Sequence, residues 1–320
     1  MFFKKFFASM AVALLIFSFA TQTQAARPKA ENSVVYTAPL SLYWLSKAGV
    51  PEAVEYVQYI DAERILKPEN IPQYERIEKI NKINAEIRYK SLNDFIQAKG
   101  CKNVIDLGCG VSPRCLSLAR QGINYVGIDL QEVVNVLNIY APNFIKDDLK
   151  NYVNFVAADV TDKKAMTNAA KNLNGEVCIV MENLSSYLTR DKQKAMLENV
   201  REILLEHGGY LITSDFNAGK IFMTGNVAIY GEEDAKNLAI ATGKVYESIS
   251  EVLFSNTMFK SETEAIKFIE DCGLKVEMVP LFTKTPDIKS IRDLNNSDIE
   301  KIQNTLNQEK LLWVITADKK

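Results

Sequence analysis

Residues 103–130 read N-V-I-D-L-G-C-G-V-S-P-R-C-L-S-L-A-R-Q-G-I-N-Y-V-G-I-D-L. The apolar, β-rich run at 104–107 is followed at once by Gly108 and Gly110. A run of this kind predicts a buried strand, and paired glycines after it predict a turn where the backbone closely approaches another group. A ligand is the expected group, so the stretch predicts a binding site at the end of a strand.

The residues after this turn predict a helix and a second strand. Ser112 has the chemistry of an N-cap, Pro113 suits the first helical position, and Gly122 suits the end of the helix. The apolar run at 125–128 then ends in Asp129, about 20 residues past the turn, where a carboxylate at the tip of the next parallel strand reaches the hydroxyls of a ribose. The stretch therefore predicts half of a nucleoside-binding site.

Two nucleoside cofactors compete for this site. A dinucleotide fingerprint needs a third glycine for close packing of helix and strand, and that position holds Pro113 here. An acidic residue, Asp106, also precedes the first glycine. The pattern disfavours NAD. D-L-G-C-G with an acid at the end of the second strand instead resembles the first motif of class I S-adenosylmethionine (SAM) methyltransferases, which implies a SAM site. A site for another nucleoside and a coincidental strand, turn and helix are the alternatives.

Composition places the chain among globular proteins. Of 320 residues, 47% are apolar and 24% are charged, which permits a substantial core in one large domain or two small ones. The net charge is −2, and removal of the first 25 residues leaves 36 basic against 40 acidic side chains. This balance excludes the basic footprint of a nucleic-acid-binding protein.

The N-terminus predicts a targeting segment. Lys4 and Lys5 precede an uninterrupted apolar or small run at 6–20, and T-Q-A precedes Ala26 as a small-x-small cleavage site. We predict a signal peptide at 1–25, with an uncleaved anchor as the alternative, although the run is shorter than the roughly 20 residues that span a bilayer. Either alternative predicts an exported protein, periplasmic or extracellular.

Cysteine and histidine usage predicts no metal site. The five cysteines form no C-x-x-C pair and several fall in predicted core elements, so we interpret them as buried small hydrophobic residues. The single histidine, His207, falls at a predicted helix end, where a cation meets the helix dipole. Its isolation argues against both a zinc site and a serine-histidine triad.

Residues 26–99 predict an N-terminal helical cap. We expect residues 26–40 to be extended and residues 41–98 to be helical in three pieces, broken by the glycine and proline at 49–51 and by the prolines at 68–72. The last piece has isoleucines at roughly helical spacing, which predicts a long amphipathic helix.

Residues 100–320 alternate between strand and helix patterns, which predicts an α/β fold with a mostly parallel, seven-stranded sheet. The last five strands are predicted within 153–160, 176–183, 210–216, 275–282 and 311–317. Residues 217–257 interrupt the rhythm as an insertion. Ser261 and Glu264 form a capping box at the start of a later helix.

The motif D-L-G-C-G, with an acid at the end of the second strand, resembles the first motif of class I SAM-dependent methyltransferases. The sequence E-N-L-S-S-Y-L at 182–188 is similar to that of the leucine carboxyl methyltransferase and polyketide O-methyltransferase-like family. The resemblance covers about residues 35–217. The chain departs from the family pattern at Asn93, Ser112, Pro113 and Asn183.

The resemblance implies a Rossmann-like class I fold and a role for each matching residue. Arg88 would pair with the methionine carboxylate, Asp129 would bind the ribose, Asp159 would accept from the adenine amine, and Glu182 would face the sulfonium. Asp106 would lie near the amino group. The complete implied cofactor set is Arg88, Asp106, Gly108, Gly110, Asp129, Asp159 and Glu182. Structural alternatives remain: Arg88 as a surface charge, Asp159 as a turn cap and Glu182 as a helix cap.

The predicted function is a SAM-dependent O-methyltransferase that acts on a carboxylate or hydroxyl of a small molecule or peptide. Glu182 and Tyr187 are the candidate catalytic residues, and Arg114 and Tyr187 are the candidate substrate-binding residues. No metal and no nucleic-acid partner are expected. The alternatives are a SAM-binding or regulatory protein without turnover, and an enzyme that uses the same cofactor for another transfer.

Overall fold

The computed structural model describes residues 33–60, 68–250, 252 and 257–317. The predicted signal peptide at 1–25 lies outside these residues. Within the described ranges, every helix is too short or too polar to cross a bilayer.

The described chain forms a sheet surrounded by helices. The strands are β1 Asn103–Leu107, β2 Asn124–Asp129, β3 Val153–Ala157, β4 Val177–Met181, β5 Gly209–Thr213, β6 Leu274–Val279 and β7 Leu312–Ala317. The α-helices are α1 Ala38–Lys47, α2 Pro51–Val57, α3 Tyr74–Ala98, α4 Arg114–Ala119, α5 Gln131–Phe144, α6 Lys163–Ala170, α7 Arg190–His207, α8 Ala218–Tyr230, α9 Glu232–Ser250, α10 Glu262–Asp271 and α11 Asn296–Gln308.

The seven strands form one sheet in the order β3-β2-β1-β4-β5-β7-β6. The first five strands are parallel, and β7 runs antiparallel to both β5 and β6. The chain moves outward from β1 to β3 and then returns to the other side of β1 with β4. A reversal of this kind opens a crevice beyond the carboxyl ends of the strands. The predicted fold class is confirmed: an α/β, Rossmann-like seven-stranded sheet with a helical region before it.

The core lies on both faces of this sheet because neighbouring residues of a strand point to opposite sides. Val104 of β1 and Cys178 of β4 belong to one buried cluster, whereas Ile105 of β1 and Ile179 of β4 belong to the other. All five residues of β1 are buried, as expected for the central strand of a sheet that helices cover on both faces. A central strand with this burial holds the turn after it rigidly in place.

The N-terminal region packs on this sheet as helices α1 to α3. The predicted break is confirmed at Gly49, which has a φ of 75°, and at Pro51, which is the first residue of α2. The extended conformation predicted for 26–40 is wrong for 33–40, where a 3-10 helix, Ser33–Thr37, leads directly into α1. A tertiary contact explains the difference, because Val111 N donates a hydrogen bond to Ala38 O at 3.3 Å. This bond connects the start of α1 to the segment after the glycine turn.

The insertion at 217–257 contains two helices, α8 and α9, to which the sequence pattern assigned no structure. The capping residue predicted after the insertion is confirmed, since Ser261 Oγ accepts from Glu264 N at 3.1 Å. The predicted start of α4 is one residue too early. Pro113 occupies the N-cap position, and the Ser112 hydroxyl accepts from Arg114 N at 3.3 Å.

Candidate functional site

A cavity of about 480 Å³ opens at the carboxyl ends of β1, β2 and β4. Helices α1, α3, α8 and α9 complete its walls. It has the size of a ligand pocket and lies where an open α/β sheet binds ligands. Every residue of the implied cofactor set lines this cavity: Arg88, Asp106, Gly108, Gly110, Asp129, Asp159 and Glu182.

The glycine turn has no room for side chains. Gly108 and Gly110 have φ values of 59° and 52°, a region that favours glycine. A Cβ at Gly108 would lie 2.8 Å from Leu184 Cδ1, and one at Gly110 would lie 3.1 Å from Ala38 O. Backbone therefore forms the wall of the cavity here, as the sequence pattern predicts.

Asp129 at the tip of β2 is joined to this turn. Its Oδ2 accepts from Gly110 N at 2.7 Å, and its Oδ1 accepts from Leu130 N, also at 2.7 Å. Burial raises the pKa of Asp129 to about 6, although both backbone N–H groups lower it. A partly buried carboxylate with two fixed donors is an oriented acceptor for a ligand's hydroxyl groups.

Arg114 forms a buried hub beneath the cavity. Its side chain is 1% exposed, and each of its three nitrogens donates to a different residue. Nη1 donates to Asp106 Oδ2 at 3.1 Å, Nη2 to Glu182 Oε2 at 2.6 Å, and Nε to Asn93 Oδ1 at 2.9 Å. The ring of Tyr89 lies 5.1 Å from the guanidinium carbon. Arg114 also lines the cavity, so its predicted contact with an acceptor stays a prediction, although each of its nitrogens already donates to one of these partners.

The hub also explains Asn93, where the family pattern has an acid. Asn93 provides the third acceptor for Arg114 without a third negative charge. The neighbouring Asp94 is used elsewhere, because its Oδ2 accepts from the backbone and side chain of Thr283 at 2.8 and 2.7 Å. Burial raises the pKa of Asp106, although Arg114 lowers it.

Glu182 follows β4, and its two carboxylate oxygens have different surroundings. Its Oε2 is paired with Arg114, whereas its Oε1 is buried and has no hydrogen-bond partner among the described residues. The side chain is 7% exposed. An unpaired buried oxygen beside a cavity is a candidate acceptor for a ligand donor, because such groups normally have partners.

Arg88 on α3 is the second buried cation of the cavity wall, with 5% of its surface exposed. Its Nη1 donates to Asn183 Oδ1, and its Nε has no partner within the described chain. None of the ion pairs found there joins Arg88 to an acidic side chain. Burial of a guanidinium is costly, and the nearby carboxylate of Asp215, whose pKa Arg88 lowers, offsets part of that cost. The unpartnered Nε leaves a donor for an anionic ligand.

Asp215, just after β5, is a site residue that the sequence analysis missed. Its carboxylate accepts from three consecutive backbone N–H groups, those of Asn183, Leu184 and Ser185, at 2.7 to 2.9 Å. Asn183 has a φ of 63°, which asparagine tolerates better than most residues and which explains its place at a position where the family has glycine. Asp215 thus holds the loop that carries the partner of Arg88. The one sequence signal for Asp215 is its position in S-D-F, at the end of the predicted fifth strand.

Two other predicted residues lie at the cavity with local partners. Asp159 is exposed and its Oδ1 accepts from the backbone and hydroxyl of Thr161 at 2.9 and 2.7 Å, so it caps a turn while it lines the cavity. Tyr187 is hydrogen-bonded to Thr37, and burial raises its pKa further above its ordinary value. This direction disfavours Tyr187 as a general base near neutral pH.

Of the histidine and the five cysteines, Cys109 of the glycine turn is the one that lines the cavity among the described residues. His207 is in the last turn of α7, as predicted, and does not line the cavity. All five cysteines are free, and four of them are buried. Within the described ranges, no three histidine, cysteine or acidic side chains lie close enough to hold a metal ion.

Searches for similar proteins find remote structural likenesses. The methyltransferase domain of bacterial CtHen1 is 14% identical, with a TM-score of 0.44, over 73% of this chain and 99% of that one. Magnesium protoporphyrin IX methyltransferase from Synechocystis is 15% identical, with a TM-score of 0.39, over 70% and 88%. An O-methyltransferase from neocarzinostatin biosynthesis is 14% identical, with a TM-score of 0.42, over 88% and 69%.

No protein-family model matches the chain, and no curated protein sequence matches it. At these identities and TM-scores the likenesses do not assign a function. The function is argued below from the site itself.

Proposed function

We propose that the cavity binds SAM and that the protein transfers the methyl group to an oxygen of a small-molecule or peptide acceptor. One observation carries this proposal. The cavity joins an oriented carboxylate at the tip of β2, Asp129, to a buried guanidinium whose Nε has no hydrogen-bond partner among the described residues, Arg88. SAM offers a ribose diol to the first group and a carboxylate to the second.

The charges around the cavity fit the rest of SAM. Five carboxylates line it against three cations, Arg88, Arg114 and Lys192, an excess of two negative charges when all are ionised. SAM contributes an ammonium and a sulfonium, which this excess stabilises. The unpaired Glu182 Oε1 is available to accept from a donor of the ligand. Gly108 and Gly110 both line the cavity, and their lack of side chains lets Leu184 and Ala38 pack against the turn.

When bound, SAM supplies an electrophilic methyl group that is already activated by the positive sulfur. The protein must therefore orient the two reactants and exclude water. Proximity and orientation supply about 7 to 11 kcal/mol in well-aligned reactions. Helix α1 closes one side of the cavity through its contact with the glycine turn, and Trp44 of the same helix lines the cavity.

The chemistry of the acceptor follows from the available bases. A hydroxyl acceptor must lose its proton during attack, which calls for a base with a pKa near neutral. His207 lies away from the cavity, and burial raises the pKa of Tyr187. A carboxylic acid with a pKa of about 4 is already ionised near pH 7 and needs no base. This comparison favours a carboxylate acceptor, and a phenol with a low pKa is the alternative.

Transfer of a labelled methyl group from SAM tests the reaction. The protein is incubated with labelled SAM and separate panels of carboxylic acids and phenols, and the products are treated with mild base. Methyl esters release volatile methanol, whereas aryl methyl ethers do not. A base-stable product would reject the carboxylate acceptor, and no transfer to any acceptor in the panels or in a cell extract would reject the methyltransferase.

Binding of SAM is tested separately by calorimetry. Asp129→Ala removes hydrogen bonds to a charged acceptor, each of about 1.5 to 3 kcal/mol before water compensates. We expect SAM affinity to fall at least tenfold. Unchanged affinity in this variant would show that Asp129 does not hold the ribose.

The second candidate is a SAM-binding protein without turnover. The departures at Asn93 and Asn183 motivate it. Both positions have a structural account, however, since Asn93 accepts from Arg114 and Asn183 holds a positive φ. Binding of SAM without transfer of label to any acceptor would favour this candidate.

A further inference from the structure

Part of the cavity wall is built by the two helices of the insertion. Helix α8 presents Ala218, Gly219, Phe222 and Met223 to the cavity. These residues recur with helical spacing, so they form one face of the helix. None of them is charged.

Helix α9, which packs against α8, presents a second face to the same cavity, consisting of Ala239, Thr242, Gly243 and Tyr246. These positions also follow helical spacing, and none of them is charged. The Tyr246 hydroxyl accepts from Trp44 Nε1 at 2.7 Å, which fixes two aromatic rings in the wall. Desolvation raises the pKa of Tyr246, so the ring stays neutral.

The charged residues of the two helices lie outside the cavity. Lys220 of α8 pairs with Glu262 at 2.6 Å, and Lys236 of α9 pairs with Glu232 at 2.6 Å. The apolar faces are therefore separated from the paired charges around each helix, as in an amphipathic helix that covers an apolar partner. Both uncharged faces line the cavity.

Gly243 lies inside α9 with an ordinary helical backbone, where glycine is less favourable than alanine. A Cβ built at this position meets no atom within 4 Å. Neither a positive φ nor close packing therefore requires glycine here. The space beside Gly243 belongs to the cavity, and its missing side chain enlarges that space.

Thr242, the neighbour of Gly243, supplies a polar atom to the same space. Thr242 is 7% exposed, and its Oγ1 has no hydrogen-bond partner within the described residues. A threonine inside a helix ordinarily bonds to a carbonyl of the preceding turn. A buried hydroxyl without that bond is available to a ligand.

We infer that α8 and α9 form an acceptor subsite for a neutral, apolar body, that Gly243 sets its size, and that Thr242 receives one polar group. The inference rests on the proposed function, because it names the class of acceptor that meets the methyl group. The acceptor combines an oxygen nucleophile with an uncharged apolar body. A cationic or polyanionic body would lose its solvation without finding a charged partner on either face.

A matched pair of fluorescent probes tests the subsite. N-phenyl-1-naphthylamine is neutral, and 8-anilino-1-naphthalenesulfonate has the same rings with an added sulfonate. Both are titrated into the full protein with and without saturating SAM. We expect saturable binding of the neutral probe in both conditions and at least tenfold weaker binding of the sulfonate. Equal or tighter binding of the sulfonate, or no binding of the neutral probe, would overturn the inference.

Variants at Gly243 locate the probe. Gly243→Phe places a ring in the open space and is expected to lower the affinity for the neutral probe at least tenfold. Gly243→Ala is the matched control and is expected to change its affinity less than threefold. Circular dichroism verifies that both variants are folded. Unchanged binding of the neutral probe in folded Gly243→Phe would overturn the inference.

The role of Thr242 is tested with Thr242→Val, which removes the hydroxyl and keeps the shape. We expect the affinity for 2-naphthol to fall about five- to tenfold and that for naphthalene to change less than twofold. Equal effects on both compounds would reject the role of the hydroxyl. Calorimetry with SAM separates the two proposals. If the unaltered protein does not bind SAM, the proposed function is rejected, whereas the probe results decide whether the subsite exists.

Discussion

The carboxylate of Asp129 accepts a 2.7 Å hydrogen bond from the backbone nitrogen of Gly110. This bond joins the tip of β2 to the glycine turn after β1, although the two residues are 19 positions apart in the chain. The acid and the turn therefore act as one unit. A change in the charge of Asp129 alters both the surface offered to a ligand and the turn beside it.

We predict that SAM affinity falls as pH drops through about 6. Burial, together with the charges of Asp106 and Glu132, raises the pKa of Asp129 to about 6 in the unliganded protein. A protonated carboxyl accepts hydrogen bonds less well than a carboxylate. Calorimetry between pH 5 and 8 measures the dependence. Asp129→Asn keeps the shape of the side chain, and we expect this variant to bind SAM weakly, with an affinity that depends less on pH. An identical pH profile in the variant would contradict the assignment of Asp129 to the ribose.

The same pKa predicts the effect of pH on the stability of the unliganded protein. A carboxyl pKa raised from 3.8 means that the folded state binds a proton more tightly than the unfolded state. The contribution of Asp129 is therefore greatest below about pH 4 and is lost as pH rises to about 6. Chemical denaturation should show a less negative slope of stability against pH in Asp129→Asn across this window. Equal slopes would contradict the raised pKa.

Arg88→Met is expected to lower SAM affinity at least tenfold, because it removes the cation proposed for the methionine carboxylate. It should lower the stability of the unliganded protein by less than about 2 kcal/mol, because Asp215 loses a nearby cation but keeps its three backbone donors. Calorimetry and denaturation measure the two effects. Arg88→Lys keeps the charge without the fork-shaped donors and should give an intermediate affinity. SAM binding by Arg88→Met at the original affinity would reject the role of Arg88.

Arg114→Met is expected to lower stability by about 3 to 5 kcal/mol, because Asp106 and Glu182 remain buried without their shared cation. The loss should shrink at low pH, where protonation of Asp106, whose pKa burial raises, removes one of the buried charges. Adding Asp106→Asn and Glu182→Gln should restore part of the stability. A stable Arg114→Met variant with normal SAM binding would show that the hub does not support the site.

We propose that the protein is exported and processed after Ala25. Lys4 and Lys5, the apolar run and the T-Q-A site motivate this proposal. Mass spectrometry of the native protein should find Ala26 at the N-terminus. A chain that begins at Met1 and is recovered from the membrane fraction would indicate the uncleaved anchor, and the same chain recovered from cytosol would reject export.

Local signals in the sequence were sufficient for the sheet and the glycine turn. Buried strands such as β1 produce short apolar runs, and Gly108 and Gly110 fill positions that a side chain would block. Both signals depend on residues close together in the chain. The start of α1 was missed because its conformation depends on the contact between Ala38 and Val111, which a sequence pattern does not reveal.

The tertiary structure alone decided how the charges are divided. The sequence offered Arg88 and Arg114 as two arginines near predicted motifs, with Arg114 assigned to an acceptor. Strand order placed Arg114 in ion pairs with Asp106 and Glu182, and it left Arg88 at the cavity wall with an unpartnered Nε. Pairing of charges depends on which strand ends lie side by side, and in a parallel sheet that order is set by packing between residues far apart in the chain.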